Sequence, residues 1–317
     1  YQAGLLDASG TDLRPRSIPL MEEVEVEAEP VQSGLVDWRR PVEDWFEFRV
    51  PDSFRIARVS PPERDLRWEP GEGAFLTLAL PEGIVGFPIL EIEASEGTVV
   101  EVMVQEHHDP EAHPWLDSHF FAWSRWICRE GLNRFEAFDY EGLRWIQVHV
   151  HGGRGQATIH RVAVRQRRLP RTLARFDLSC PEVSQVLLAG INTLSNSCQD
   201  QIVDGMARER QQYSGDCGHQ LRALRLMQGD AATPRRFLRQ YAYGQMLDGL
   251  FSDSWPAWDR LNRLWERQIG ATPWGVILDH SIGFVFDHFH HWMEWGDLEP
   301  ARENWPRDAG GYAMTTG

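Results

Sequence analysis

The sequence predicts a two-part molecule, an antiparallel β-sandwich followed by the start of an all-helical domain. Short β-type segments with no helical pattern between them fill the first half, which is typical of a sandwich. Helical periodicity begins near residue 170 and recurs in three segments. We therefore expect residues 1–70 to be the end of a preceding domain or strands of the sandwich, 71–170 to form the sandwich, and 171–317 to begin the helical domain.

Composition and net charge indicate a globular protein and argue against two kinds of partner. The chain has 317 residues, of which 42% are hydrophobic and 25% charged, the balance of a globular protein. Its net charge of -15 argues against a nucleic-acid partner, since such binding needs clustered cations on phosphates. No apolar run approaches the roughly 20 residues that span a membrane. Neither nucleic acid nor membrane is an expected partner.

The β-type segments alternate or are rich in β-branched residues, and Gly-containing turns at Gly97 and Gly152 separate several of them. They are residues 24–27, 75–78, 90–92, 98–104, 145–150 and 159–164.

The helical segments carry start and stop signals. Ser179 is a predicted N-cap, with Pro181 in the first turn, where its missing N–H costs little. A second helix opens at Thr233, and a third pattern runs from about Ile277 to before Gly296. The apolar residues at helical spacing are Val183, Val186, Leu187, Ile191 and Leu194 in the first helix, and Phe237, Leu238, Tyr241 and Ala242 in the second.

Neither the cysteines nor the ends of the chain fix the compartment. The sequence has no CxxC spacing, so its thiols are expected to be reduced and incidental. The sequence opens at Tyr1 without a methionine and stops at Gly317, so we expect a fragment, in which no signal peptide can be read. The cysteines are Cys128, Cys180, Cys198 and Cys217.

One polar segment, residues 204–216, stands out between the first two helices. It holds three carboxylates and two arginines. A solvated loop can have this composition. The functional interpretation is that Glu209 donates a proton, while Asp204 and Asp216 bind a polyhydroxylated ligand. Burial and neighbouring negative charge raise the pKa of a carboxyl group toward the value that a general acid needs.

The same segment resembles the signature of the α-L-rhamnosidases of glycoside hydrolase family 78, D-C-P-x-R-(D)-E-R-x-G-W-x-G-D. Flanking blocks resemble that family in the same order, and the resemblance covers roughly residues 75–300. Those blocks are residues 135–145, Gly86-Phe87, 97–102 and Trp295-Gly296-Asp297. The matching residues of the signature are Asp204, Arg208, Glu209, Arg210, Gly215 and Asp216.

The resemblance implies a multidomain β + α fold, an antiparallel β-sandwich followed by an incomplete (α/α)6 barrel, the six-hairpin architecture. It also implies inverting hydrolysis of terminal α-L-rhamnosides with Glu209 as general acid, and neither cofactor nor metal. Asp204, Arg208 and Asp216 would hold the sugar, and Tyr213 and Asp279 would also contact the substrate. The general base would lie beyond Gly317, so this fragment alone would be inactive.

Three departures from the family pattern leave the sugar open. Gly205-Met206 replaces Cys-Pro, Gln212-Tyr213 replaces Gly-Trp, and Ile277 stands where a Trp is frequent. The alternative is another six-hairpin glycosidase acting on a different neutral or deoxy sugar. Three tryptophans near the site are candidates to replace the missing aromatic rings that would stack on the sugar. Packing in the core is the more common role for this residue type. They are Trp255, Trp258 and Trp274.

Two further classes remain as alternatives. The protein could be a non-catalytic carbohydrate-binding homologue, for which the sandwich would offer an exposed aromatic face. A metal site is less favoured: His288 and His291 share a helix face near His280 and Glu294, but alternating aromatics indicate a packed helix. The aromatics of the sandwich are Trp115, Trp123 and Trp126.

Overall fold

A computed structural model describes residues 16–38, 54–116, 122–170, 176, 178–206, 209–245, 250–256 and 277–304. Ten strands precede the helices. The strands are β1 (Glu22–Glu27), β2 (Glu29–Trp38), β3 (Phe54–Ser60), β4 (Asp65–Arg67), β5 (Glu72–Ala94), β6 (Thr98–Gln105), β7 (Trp123–Ile127), β8 (Gly131–Glu136), β9 (Glu141–Gly152) and β10 (Gln156–Arg168). The helices are α1 (Pro181–Ser197), α2 (Ser214–Gln228), α3 (Ala232–Tyr241) and α4 (Leu278–Trp295), with a 3-10 turn at Ala242–Gly244 and helical residues at 299–304.

The strands form one antiparallel sheet that curls around the long strand β5. The first part of β5 pairs with β2 and β9, and the second part pairs with β8 and β10. Between these parts the register against β9 slips, because the residues between Ala79 and Ile84 outnumber those between Trp145 and Leu143. The predicted mainly antiparallel β region followed by helices is confirmed. The predicted (α/α)6 barrel stays a prediction.

Strand β5 corrects one expectation from the sequence. Residues 75–78 and 90–92 were expected as separate strands, but they are two ends of one continuous strand. Pro81, which lacks an N–H, lies in the bulge between them. The local pattern therefore looks like two strands, although the chain does not turn back.

The main core lies between the two parts of the curled sheet. Alternate residues of β5, such as Leu76, Leu78 and Ile92, are buried in one cluster with Val148 of β9 and Val162 of β10. Each such side chain stabilises the fold by about 1.5–3 kcal/mol when fully buried. This core fixes the position of the bulge and of the strand ends around it.

The opposite face of β5 and β9 is also covered. Gln147 donates from Nε2 to Thr77 Oγ1 (2.8 Å) and to the carbonyl of Pro114 (2.7 Å), and it accepts from the backbone N–H of Leu116 (2.9 Å). Trp115 and Trp123 pack there, half-buried. Trp126 is half-buried against Phe135, with its ring stacked 5.1 Å away. The three tryptophans considered as an exposed sugar-binding face thus have packing roles.

Helices α1, α3 and α4 begin close to the predicted positions, whereas α2 was not predicted from the sequence. Helix α1 has Pro181 in its first turn, but its N-cap is Cys180, so the expected Ser179 cap is wrong. Helix α4 ends at Gly296, whose φ of 66° is the left-handed conformation that glycine adopts without strain. Phe237, Tyr241 and Phe284 form the centre of the helical core. No helix in the described part of the chain is long and apolar enough to cross a membrane.

Candidate active site

The polar segment forms a loop between α1 and α2 that is closed at its base. The backbone N–H of Asp204 donates to the carbonyl of Gln211 (3.0 Å), and the N–H of Gln211 donates back to Oδ1 of Asp204 (2.8 Å). Helix α2 then starts at Ser214, inside the segment that was expected to be a loop. Asp216 therefore sits in the first turn of α2, while Asp204 and Glu209 lie on the loop.

Arg210 anchors this loop to the sheet. Its side chain is completely buried and its φ is 55°, a left-handed conformation that is unusual for a non-glycine residue. Its Nε donates to the carbonyl of Met206 (2.7 Å) inside the loop, and its Nη atoms reach Asp139 (3.2 Å) and Glu141 (2.5 Å). The guanidinium also lies 4.7 Å from the ring centroid of Tyr140. The residue next to Glu209 is thus bound firmly to the turn between β8 and β9.

A cavity of about 800 Å³ opens between the sheet and α1, with the loop at its base. This volume is in the range of small-molecule sites. Three of the predicted site residues, Asp204, Glu209 and Asp216, line it together. The other lining residues are Pro81, Glu82, Gly83, Ile84, Glu106, Leu143, Arg144, Leu188, Ala189, Asn192, Thr193, Asn196, Ser197, Gly205 and Met206.

Asp204 and Glu209 form a carboxyl pair at this cavity. The pKa of Asp204 is raised to about 6. Burial is the largest cause, the charge of Glu209 and a side-chain hydrogen bond with it add to the rise, and the backbone N–H groups of Gln211 and Gly205 oppose it. A hydrogen bond between two carboxyl groups requires a proton on one of them. Glu209 is only 7% exposed. Asp204 can therefore hold a proton beside Glu209 up to about pH 6.

The remaining predicted substrate residues do not gather at the cavity. Tyr213 precedes α2, and its ring meets the ring of His280 edge to face at 5.7 Å. Asp279 is exposed in the first turn of α4. Neither residue is part of the cavity lining. Arg208 lies outside the described residues, as do Trp258 and Trp274.

Gln212 and Trp255 brace the second side of the loop. The Nε2 atom of Gln212 donates to the carbonyl of Trp255 (2.6 Å), and the backbone carbonyl of Gln212 accepts from the backbone N–H of Trp255 (3.2 Å). Trp255 packs partly buried against the helical core. Its contacts are those of a packing residue, and it does not line the cavity.

Three charged residues of the cavity were missed by the sequence analysis. Glu82 lies in the β5 bulge, Glu106 directly follows β6, and Arg144 is in β9. Each stands beside a β-type segment that the sequence does reveal. Their convergence depends on how the curled sheet meets α1, and no local pattern encodes that.

The histidines of α4 bind protein groups. The Nδ1 of His288 donates to the carbonyl of Phe284 (2.9 Å), and Nε2 of His288 lies 3.1 Å from Nδ2 of Asn304. His291 Nε2 lies 3.1 Å from Oδ2 of Asp297. In the ranges that the structure covers, no group of three His, Cys, Asp or Glu side chains is placed to hold a metal ion.

A second buried carboxyl group supports the start of α2. Ser214 Oγ donates to Oδ2 of Asp287 (3.1 Å), and burial raises the pKa of Asp287 to about 7. A Cβ atom at Gly218 would lie 2.6 Å from Oδ1 of Asp287, so this close approach requires glycine. Helix α4 thereby fixes the helix turn that carries Asp216.

Comparison with solved structures shows what the fold is similar to. A GH78 family rhamnosidase of Bacillus sp. GL1 matches with a TM-score of 0.67 and 19% identity, over 82% of this chain and 26% of that one. A Klebsiella oxytoca rhamnosidase with rhamnose bound matches with a TM-score of 0.71 and 16% identity, over 94% and 57%. A Streptomyces avermitilis α-L-rhamnosidase complexed with L-rhamnose gives 0.59 and 19%, over 84% and 26%.

At these identities the likeness is one of fold. The chain spans from about a quarter to just over half of the length of these solved proteins. No protein-family model matches the sequence. No curated protein matches it either.

Proposed function

We propose that the protein is a glycoside hydrolase that removes terminal non-reducing α-L-rhamnose from rhamnosides, with inversion. The observation that carries this proposal is the carboxyl pair: Glu209 and Asp204 both line a cavity large enough for a glycoside. The shared fold with rhamnosidases, two of them described with rhamnose, supports the choice of sugar.

In this mechanism Glu209 protonates the departing glycosidic oxygen. The raised pKa of Asp204 keeps a proton beside Glu209 up to about pH 6, from where the pair can supply it to the leaving oxygen. The anchoring of Arg210 holds the backbone next to Glu209, so the acid stays aligned with the leaving oxygen. Asp204, Arg208 and Asp216 hold the hydroxyl groups of the sugar. Tyr213, just before α2, and Asp279 of α4 lie outside the cavity lining, and we propose that they contact the substrate beyond it.

Inversion needs a second carboxylate on the opposite face of the sugar. It deprotonates the attacking water, and in inverting enzymes it stands roughly 6.5–9.5 Å from the acid. We assign this role to no described residue. In the resemblance to family 78 the base belongs to a later segment of an (α/α)6 barrel, and the helical part of this chain is proposed to begin that barrel.

The test is hydrolysis of α-L-rhamnosyl-glucose, whose sugar alcohol is a poor leaving group, by the protein, wild type beside Glu209→Gln. Loss of the general acid is expected to lower the rate by on the order of 10²–10⁴, because the leaving oxygen departs unprotonated. Glu111→Gln, an exposed residue outside the cavity, is the matched control. Unchanged activity in Glu209→Gln would remove Glu209 from the mechanism. Wild-type inactivity on rhamnosides, with activity on another neutral or deoxy sugar or binding alone, would favour the alternatives.

A further inference from the structure

Three charged side chains form the sheet side of the cavity, opposite α1. They are Glu82, Glu106 and Arg144, and we call them the sheet wall. We propose that the sheet wall is a leaving-group subsite that accepts a neutral, polyhydroxylated group and disfavours an anionic one. This rests on the proposed function, because the leaving group must occupy the part of the cavity next to the oxygen that Glu209 protonates.

Polar contacts within the described residues distinguish the sheet wall from the outer surface of the sheet. In the portion of the chain that the structure describes, none of the three makes a side-chain hydrogen bond or an ion pair. The outer surface of the sheet differs, since Arg161 there reaches Glu25 at 2.7 Å and Glu27 at 2.9 Å. Unengaged donors and acceptors on a cavity wall are available to a ligand that brings its own hydroxyl groups.

The wall is held in place by its neighbours. The carbonyl of Gly83, next to Glu82, accepts hydrogen bonds from Nδ2 of Asn192 (2.7 Å) and of Asn196 (2.9 Å). Glu106 packs on the backbone of Gly142, where a Cβ atom would lie 3.0 Å from its Oε1. A ligand would therefore meet a wall whose backbone is already ordered, which lowers the entropic cost of binding.

The charge of the cavity selects the ligand. Among the described residues that line it, five carboxyl groups stand against one cation, Arg144: they are Glu82, Glu106, Asp204, Glu209 and Asp216. Burial raises the pKa of Glu106, while the nearby charge of Arg210 opposes that rise. Carboxyl groups accept hydrogen bonds from sugar hydroxyls, whereas a carboxylate on the leaving group would be repelled.

The experiment compares two matched disaccharides, α-L-rhamnosyl-glucose and α-L-rhamnosyl-glucuronate, with p-nitrophenyl α-L-rhamnoside as the third substrate. We expect the wild type to prefer the glucose compound by kcat/KM. The double variant Glu82→Gln/Glu106→Gln should reduce that preference about tenfold, because two like charges are removed, and its rate on the nitrophenyl substrate reports any general loss of activity. Glu111→Gln should change none of the three rates. An unaltered preference in the double variant would overturn the subsite.

A second variant covers the possibility that the double variant does not fold. Arg144 is exposed, so Arg144→Met is expected to fold as the wild type does, which thermal unfolding checks. It removes the only cation of the wall. We expect a lower kcat/KM for both disaccharides, with the larger loss on glucuronate. Equal kinetics for Arg144→Met and wild type on both disaccharides would contradict the proposal.

Binding separates this proposal from the proposed function. Calorimetry with the Glu209→Gln protein measures the affinity for both disaccharides without turnover. If the wild type hydrolyses no rhamnoside, the proposed function is wrong. The subsite is then supported only if the glucose compound binds more tightly than the glucuronate compound, and if adding Glu82→Gln/Glu106→Gln to the Glu209→Gln protein removes that difference. Equal binding, or no binding of either compound, overturns the subsite.

Discussion

The Nη2 atom of Arg210 donates a 2.5 Å hydrogen bond to Oε2 of Glu141, the first residue of β9. This contact joins the loop that bears Glu209 to the sheet, and both partners are shielded from water. A charge-assisted bond in such surroundings is strong when made and costly when one partner is removed. The position of the proposed acid therefore depends on a residue of the sheet that contacts no substrate.

Removing the guanidinium should destabilise the whole junction. We expect Arg210→Met to lower the free energy of unfolding by about 3–5 kcal/mol, because Glu141 loses this cation in a buried place. Glu141→Gln should cost less, and the double variant should cost less than the sum, because the two residues form one interaction. Chemical denaturation measures all three. Arg154→Met, at an exposed ion pair, is the control, and additive effects would contradict the coupling.

The Asp204–Glu209 pair should set the pH dependence. The pKa of Asp204 is raised to about 6, so the pair loses its proton as the pH rises through that region, and kcat/KM should fall there. Asp204→Asn removes the charge that favours the shared proton. The alkaline limb of kcat/KM should then move to lower pH, with a lower maximum. A limb that stays in place would assign it to other groups.

Gly142 should tolerate no side chain. A Cβ atom there would lie 2.6 Å from Cβ of Met206 and 3.2 Å from its carbonyl carbon, both in the loop beside Glu209. We expect Gly142→Ala to displace the loop and to lower kcat by at least tenfold, since small misplacements of catalytic groups are costly. Steady-state kinetics measures the effect. Gly190→Ala is the control, because open space surrounds Gly190 and alanine favours a helix. Equal kcat in both variants would contradict this contact.

Asp287 should make stability depend on pH. Its pKa is raised from 3.8 to about 7 by burial, so the folded state holds a proton that the unfolded chain has released between those values. The contribution of Asp287 to stability is thus largest below about pH 4 and falls as the pH rises to about 7. Asp287→Asn should gain stability relative to the wild type over this range, on the order of a few kcal/mol by pH 8.

Denaturation curves at pH 4, 6 and 8 measure this difference. The asparagine can still accept the hydrogen bond from Ser214, so the comparison isolates the charge. Glu111→Gln, which changes an exposed carboxylate, serves as the control. A constant difference between Asp287→Asn and wild type at all three pH values would contradict the prediction.

Local sequence patterns predicted many of the strands and helices. Alternation in 98–104 and 159–164 corresponds to β6 and β10, and helical periodicity together with Gly296 marks α4, because these depend on nearby residues. The single strand through 75–92 was missed, since its continuity depends on partners in β9 and β10 that are distant in sequence.

The residues of the site also fall into two groups, those that the sequence predicts and those that only the tertiary structure brings together. The segment around Glu209 is recognisable because its charged residues lie close together in sequence. Glu106 is not, because its place beside the loop results from the approach of β6 and β9 to Met206. Asp279 was expected at the substrate from the resemblance to family 78, and it lies on α4 outside the cavity lining.

The β5 bulge, whose Gly83 carbonyl is bound by Asn192 and Asn196 of α1, has a consequence for how such proteins can recombine. A gene crossover between β10 and α1 would replace Asn192 and Asn196 while keeping the carbonyl of Gly83. The cavity would then lose these hydrogen bonds between the sheet and α1. Chimeras that keep the sheet together with α1 preserve both sides. The segment that must be kept together to preserve this pocket therefore runs from the strands into the first helix. It crosses the boundary near residue 170, where the helical pattern begins.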